Sequence, residues 1–345
     1  MRAAIFQGPE RIEIDDVDVP ALGPRDVLLN VEACGVCGSD IASYRHGHYV
    51  EAGQIMGHEI SANVSEVGAA LDGPPPGTQV AVRPMRTCGE CAYCTSGRSN
   101  LCGATAGRSL GYGLRGGFAE QLLMRDVVIG ADLIALDVAL APTELLWAEP
   151  LAVGVHAFGL LELSAKDSLL VLGAGSVGLC VVAVALATGM RDIVVVEPRE
   201  HRRAAIASLG VLAVAPGDTE PGRRFDGAVD TSGVANVIGA AASQLRYSSR
   251  LVLLGLGDGA VPWPTVGVDL IGSFAYTDSD FRAALEHIVS GRIRLGQFVT
   301  HQFAIDDTAA AIDASVEDPT VVKAAIVPSA RGTGTNDSND AGAHS

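Results

Sequence analysis

Apolar positions change their period along the chain, and each change marks a new region. Over residues 1–33 short β-rich runs alternate with turns: Ala3–Phe6, Arg11–Val17 and, after Pro20 and Gly23-Pro24, Asp26–Glu32. Such runs bounded by turn residues predict strands. Ile60–Val67 and Gln79–Val82 continue the style around Gly73-Pro-Pro-Pro-Gly77, a stiff turn that cannot be helical. A glycine-rich turn at Gly111–Gly117 leads back to a strand at Phe118–Met124. From Pro142-Thr143-Glu144 an apolar helix runs past Trp147-Ala-Glu-Pro150 to Leu161, and Pro150 is expected to kink or restart it.

From Ser168 the pattern is strand, helix, strand. Ser168–Leu172 reads as a buried parallel strand, and Gly173-Ala-Gly175-Ser-Val177-Gly178 as the turn into an apolar helix that ends near Thr188-Gly189. Ile193–Val196 follows and closes with Glu197. A lone Gly-x-Gly-x-x-Gly says little. Placed between a strand and a helix, with an acid about 20 residues on, it is the dinucleotide fingerprint. Gly173 permits the tight turn, Gly175 the approach of a pyrophosphate, and Gly178 close helix–strand packing; Val177 lies in the same turn. Further units are expected at Asp226–Asp230, Val234–Leu245, Arg250–Leu254, Leu270–Ala275 and Asp280–Ser290, enough for a doubly wound sheet. Residues 293–328 return to short strands around a helix at Asp306–Val316 and end in Val321–Val327. Ser329–Ser345, rich in Gly, Ser, Asn and Asp, is expected to be disordered.

Composition narrows the function classes. A chain of 345 residues normally divides into two domains, and 48% hydrophobic against 19% charged residues excludes wholesale disorder. A net charge of −16 argues against nucleic acid or an anionic membrane as partner. Met1-Arg2-Ala3-Ala4-Ile5-Phe6 reads as a strand rather than a leader, and runs such as Leu179–Thr188 are too short to span a bilayer. A cytoplasmic setting is the expectation. There, seven cysteines point to metal or chemistry before disulfides.

Two sets of residues carry that chemistry. In Cys34-Gly-Val-Cys37-Gly-Ser39-Asp40, followed by Gly57-His58-Glu59, a thiolate at Cys37, an imidazole at His58 and a carboxylate at Glu59 are candidate ligands of one metal, with the Ser39 hydroxyl beside it. Zinc accepts S, N and O ligands, and its catalytic sites keep one position open. Apolar packing of the cysteines and a satisfied core histidine would read equally well from this stretch alone. Glu149, a carboxylate among apolar neighbours, is a fourth candidate, the alternative being a solvated helix-end acid. Cys88, Cys91, Cys94 and Cys102 fall within fifteen residues and predict a closed, structural zinc site. Two disulfides, or a zinc ribbon on nucleic acid, are the rivals.

Together these motifs resemble the zinc-dependent medium-chain alcohol dehydrogenases, most closely the sorbitol/polyol and threonine dehydrogenase branch, from residue 1 to about 328. The resemblance implies an α/β chain: a GroES-like β-barrel catalytic domain over 1–150, bearing the metal lobe 88–102, with an inserted Rossmann NAD-binding domain over 151–289. Residues 290–328 return to the catalytic domain and 329–345 form the tail. It implies two zinc ions per chain, one structural and one catalytic on Cys37 and His58, with Glu149 and Glu59 competing for the carboxylate position. A homodimer or homotetramer is expected. So is hydride transfer between NAD and an alcohol or carbonyl substrate, with Ser39 taking the proton and Asp40 orienting a ligand. Relatives often relay that proton through a histidine five positions after the cysteine ligand. Here that position is Ala42, leaving His46, His48 or water for the exit.

Cofactor choice rests on Glu197, whose carboxylate suits both ribose hydroxyls and repels a 2′-phosphate, favouring NAD over NADP. Arg202 and Arg203 fall in the following helix, flanking adenine or facing solvent, while Arg199 could grip a phosphate. For the substrate, Tyr44, Arg45, His46 and His48 lean towards a polyol, sugar or amino alcohol, among pocket loops that also include Tyr112 to Phe118 and Tyr276. The competing readings are an NADP-dependent carbonyl reductase of the same family, a zinc-free reductase, and a non-catalytic nucleotide-binding zinc protein.

Overall fold

The computed structural model describes residues 1–255, 257, 259–262 and 267–329; the rest of the expected tail lies outside the described residues. Six strands form one parallel sheet in the order Leu212–Val214, Asp192–Val196, Ser168–Leu172, Phe225–Asp230, Leu245–Leu253, Val268–Gly272. By chain order this is 3-2-1-4-5-6, the doubly wound arrangement that puts a ligand crevice where the order reverses. All five residues of Ser168–Leu172 are buried, which is why that stretch reads as an unbroken apolar run.

The chain's two ends share another sheet. Leu133–Ala135, Gln79–Val82, Glu59–Val67, Val27–Gly35, Lys323–Ile326 and Val299–Phe303 lie in that order, and Gln121–Met124 also pairs with Val27–Gly35. Arg11–Asp16, Arg2–Gly8 and Gln54–Ile55 make a smaller antiparallel sheet. One buried cluster fills the first of these sheets, from Ala3 and Phe6 to Ile326. Another runs from Ala33, Ala81 and Ala325 through Trp147 and Leu151 to Val171 and Phe281, so the two parts share a continuous apolar core. Among the described residues no helix is long and apolar enough to cross a membrane.

Several elements differ from the sequence reading. Gly38–His46 is an α-helix that the sequence reading did not assign, because Gly-Ser-Asp-Ile-Ala-Ser-Tyr-Arg-His has no apolar period to announce it. The run 142–161 is two helices, Pro142–Leu145 and Ala148–Gly159, broken before Pro150 rather than at it. Pro150 thus sits in a first turn, where its missing N–H costs nothing. The expected helix Val234–Leu245 stops at Ala242, because Leu245 pairs with Phe225 and opens the next strand five residues early.

Candidate active site

Register assembles the first donor set. Gly35 lies opposite Glu59 on the antiparallel pair Val27–Gly35 and Glu59–Val67, which brings Cys37, just beyond one strand, to His58, just before the other. Ala325 pairs with Gly35 from the other side and carries Lys323 to the same point. Donor atoms of Cys37, His58 and Glu59 all lie within 4.8 Å of one another. His58 Nδ1 and Glu59 Oε1 are buried without a hydrogen-bond partner. Unpaired polar atoms in a buried S, N, O cluster fit a zinc ion, which takes these ligand types at about 2.0–2.3 Å.

Neighbours hold the donors in place. Asp40 accepts from the Cys37 backbone N–H at 2.9 Å, fixing the helix start, and its Oδ1 faces His58 Nδ1 at 3.7 Å. Burial opposes charge on His58, but Asp40 and Cys37 outweigh it and hold its pKa well above the usual imidazole value. Lys323 forms a fully buried ion pair with Glu59, donates to Val36 O at 3.0 Å and sits 5.3 Å over the Trp147 ring. Lys323 was missed in the sequence reading. Its signal was available: a single cation in the apolar run Val321–Val327 demands a buried partner, as Glu149 does.

Glu149 stands in the first turn of Ala148–Gly159, within electrostatic reach of His58, Glu59 and Lys323; burial above all pushes its pKa up to about 7. It does not belong to the group of three donors within 4.8 Å. Ser39 is in the first turn of Gly38–His46, where its Oγ accepts from Tyr112 Oη.

Two pocket assignments are corrected. Tyr44 is buried and donates to Glu10 O at 3.4 Å, and Arg45 pairs with Glu10, Asp313 and Glu317. Neither side chain is free to grip a polyol. Tyr276 is 1% exposed and stacked on Phe281, with its buried hydroxyl left without a hydrogen-bond partner. His46 and His48 are exposed and lie against each other, with ring centroids 5.5 Å apart.

The four-cysteine lobe is drawn together as expected. Cys88–Cys94, Cys91–Cys94 and Cys102–Cys88 sulfurs are 3.9, 3.6 and 3.5 Å apart, and all four cysteines are free of disulfides. Sulfurs bound to one tetrahedral zinc at about 2.3 Å stand about 3.8 Å apart, so the set fits. Backbone N–H groups of Glu90 and Cys91 lower the Cys88 pKa to about 6, favouring the thiolate that a metal needs.

At the carboxyl edge of the parallel sheet, Gly173 has φ +95°, and a Cβ on Gly178 would stand 2.2 Å from Gly173 O. No other residue type fits either place. In front of Gly175, the cap of helix Ser176–Ala187, a Cβ would meet nothing nearer than Arg202 Nη1 at 3.9 Å. That open cradle at a helix N-terminus, with the cation beside it and Val177 in the first turn, fits a pyrophosphate. Arg202 therefore faces the glycine turn rather than solvent, whereas Arg203 is spent on Glu197 O and Pro198 O. Glu197 is buried and accepts from Ala174 N at 2.7 Å and Arg199 N at 2.9 Å, leaving carboxylate lone pairs for further donors.

A dinucleotide cradle and a buried metal-donor set in one chain point to a metal-assisted oxidoreductase. Comparison with known proteins narrows the class. Residues 23–130 match the family described as alcohol dehydrogenase GroES-like domain, and residues 176–290 match zinc-binding dehydrogenase. Sorbitol dehydrogenase of Arabidopsis thaliana is 30% identical over 325 residues, covering 87% of each chain. Sorbitol dehydrogenase of Bacillus subtilis (strain 168) is 28% identical over 337 residues, 92% of this chain and 94% of that one. The structure of 2R,3R-butanediol dehydrogenase from Bacillus subtilis aligns with a TM-score of 0.84 at 25% identity, over 95% of this chain and 99% of that one. The chain belongs to the zinc-dependent medium-chain alcohol and polyol dehydrogenase family.

Proposed function

We propose that this enzyme interconverts a secondary alcohol or polyol and its carbonyl compound, using NAD and two zinc ions per chain. The observation that carries the reading is the buried Cys37, His58, Glu59 cluster with its unpaired donor atoms. Cys37 and His58 would hold the catalytic ion with Glu59 as third ligand or alternating with Glu149, and Cys88, Cys91, Cys94 and Cys102 the structural one. Bound there, zinc polarises the substrate oxygen and lowers a hydroxyl pKa, and NAD supplies the hydride chemistry.

The chain's own residues do the rest. Ser39 Oγ takes the substrate hydroxyl proton during oxidation and returns it during reduction. Asp40 holds the first turn that presents Cys37 and faces His58 Nδ1. Lys323 balances the Glu59 charge, both side chains being buried. The glycine turn, the helix N-terminus at Gly175 and Arg202 bind the pyrophosphate, and Glu197 accepts from the ribose. This reading divides the chain into a catalytic unit, 1–150 with 290–328, and a nucleotide unit, 151–289, in a cytoplasmic homodimer or homotetramer. Sorbitol and butanediol relatives supply the first substrates to try. A panel of secondary alcohols and polyols, assayed with NAD and with NADP, should show alcohol-dependent NADH formation; no reduction of either cofactor by any alcohol would reject the reading.

A further inference from the structure

Tyr112 occupies a turn between Leu110 and Gly113 and points at the centre of the site. Its hydroxyl donates to Ser39 Oγ, and its ring lies 5.0 Å from the His58 ring at 44°. On the other side Tyr49 meets it edge-on at 6.4 Å, and Tyr49 is 54% exposed. Tyr49 is held there at φ +68°, a backbone conformation uncommon outside glycine. The Tyr112 hydroxyl thus touches Ser39 while its ring meets the exposed Tyr49. Ser39 Oγ has no other hydrogen bond among the described residues, and neither His46 nor His48 reaches it.

We propose that Tyr112 is the positioning residue for Ser39 and the second link of its proton path, exchanging the proton with water at its one hydroxyl. The inference rests on the dehydrogenase reading above. In the structure Tyr112 donates to Ser39, which leaves the Ser39 hydroxyl proton free to point at a substrate oxygen. That is the arrangement for carbonyl reduction: the substrate oxygen gains the Ser39 proton, Ser39 gains that of Tyr112, and Tyr112 takes one from water. Oxidation runs the chain outward after both hydroxyls rotate. Each oxygen forms one O–H bond as it loses another, so Ser39 and Tyr112 end neutral, and water takes or supplies the net proton. Ala42, which cannot carry a proton, leaves this path to Tyr112.

Tyr112→Phe tests it, because the ring packing on His58 and Tyr49 is kept and only the hydroxyl is lost. The expected result is kcat lowered about 10- to 100-fold with KM within about twofold, and a larger solvent isotope effect on kcat. In a Ser39→Ala background the same change should have no further effect, since Tyr112 acts through Ser39. Metal content and the melting temperature should match the parent. A kcat within twofold of the parent, an equal loss again on Ser39→Ala, or loss of metal from Tyr112→Phe would overturn the inference. Failure of the dehydrogenase reading itself shows differently, as a parent enzyme that reduces neither cofactor with any alcohol.

Discussion

Glu59 and Lys323 are each less than 3% exposed, and neither can be removed alone without leaving a buried charge. Lys323→Met should therefore cost about 3–5 kcal/mol in urea unfolding, while the Glu59→Gln/Lys323→Met double variant should recover much of it. Equal losses in both would show that the pair is not coupled. Glu59 was read in sequence as a candidate ligand beside His58, but Lys323 and its pairing with Glu59 were not read, because the pairing depends on a register set by tertiary contacts. Glu197 was legible from its place after the second strand. Glu197→Ala is expected to lower the NAD to NADP ratio of kcat/KM about 10- to 100-fold. An unchanged ratio would mean that Glu197 only braces the glycine turn through Ala174 N.

The lobe at 88–102 shows how an element without a core is held. Of the residues from Cys88 to Cys102 only Ser99, Asn100 and Cys102 are buried. Ser99 donates to Asp278 at 3.0 Å and Asn100 to Phe274 O at 2.9 Å, so the lobe is anchored at one end, and the proposed structural zinc would hold the remainder. Cys91→Ser should lower the melting temperature and the soluble yield; an unchanged melting temperature would remove the structural role. Four cysteines at this spacing were plain in the sequence. The helix Gly38–His46 was not, since its hold comes from Asp40 on the Cys37 backbone and not from an apolar stripe. The helix break ahead of Pro150 was similarly hidden, since a proline marks a boundary only to within a turn.

At the scale of the molecule, the parallel sheet was readable from three signals that agreed: unbroken apolar strands, glycines at the turn, and an acid after the second strand. The return of residues 299–326 to the sheet of Val27–Gly35 was visible only as a change of style, because strand order is decided by packing across hundreds of residues. What the whole arrangement claims is two metal sites with separate duties, one maintaining the lobe and one serving the reaction. Metal analysis of the parent and of Cys37→Ser tests this most directly. The parent should hold about two zinc ions per chain, and Cys37→Ser about one, with its melting temperature kept and turnover lost. A parent with a single zinc, or a Cys37→Ser enzyme that still turns over, would contradict the account.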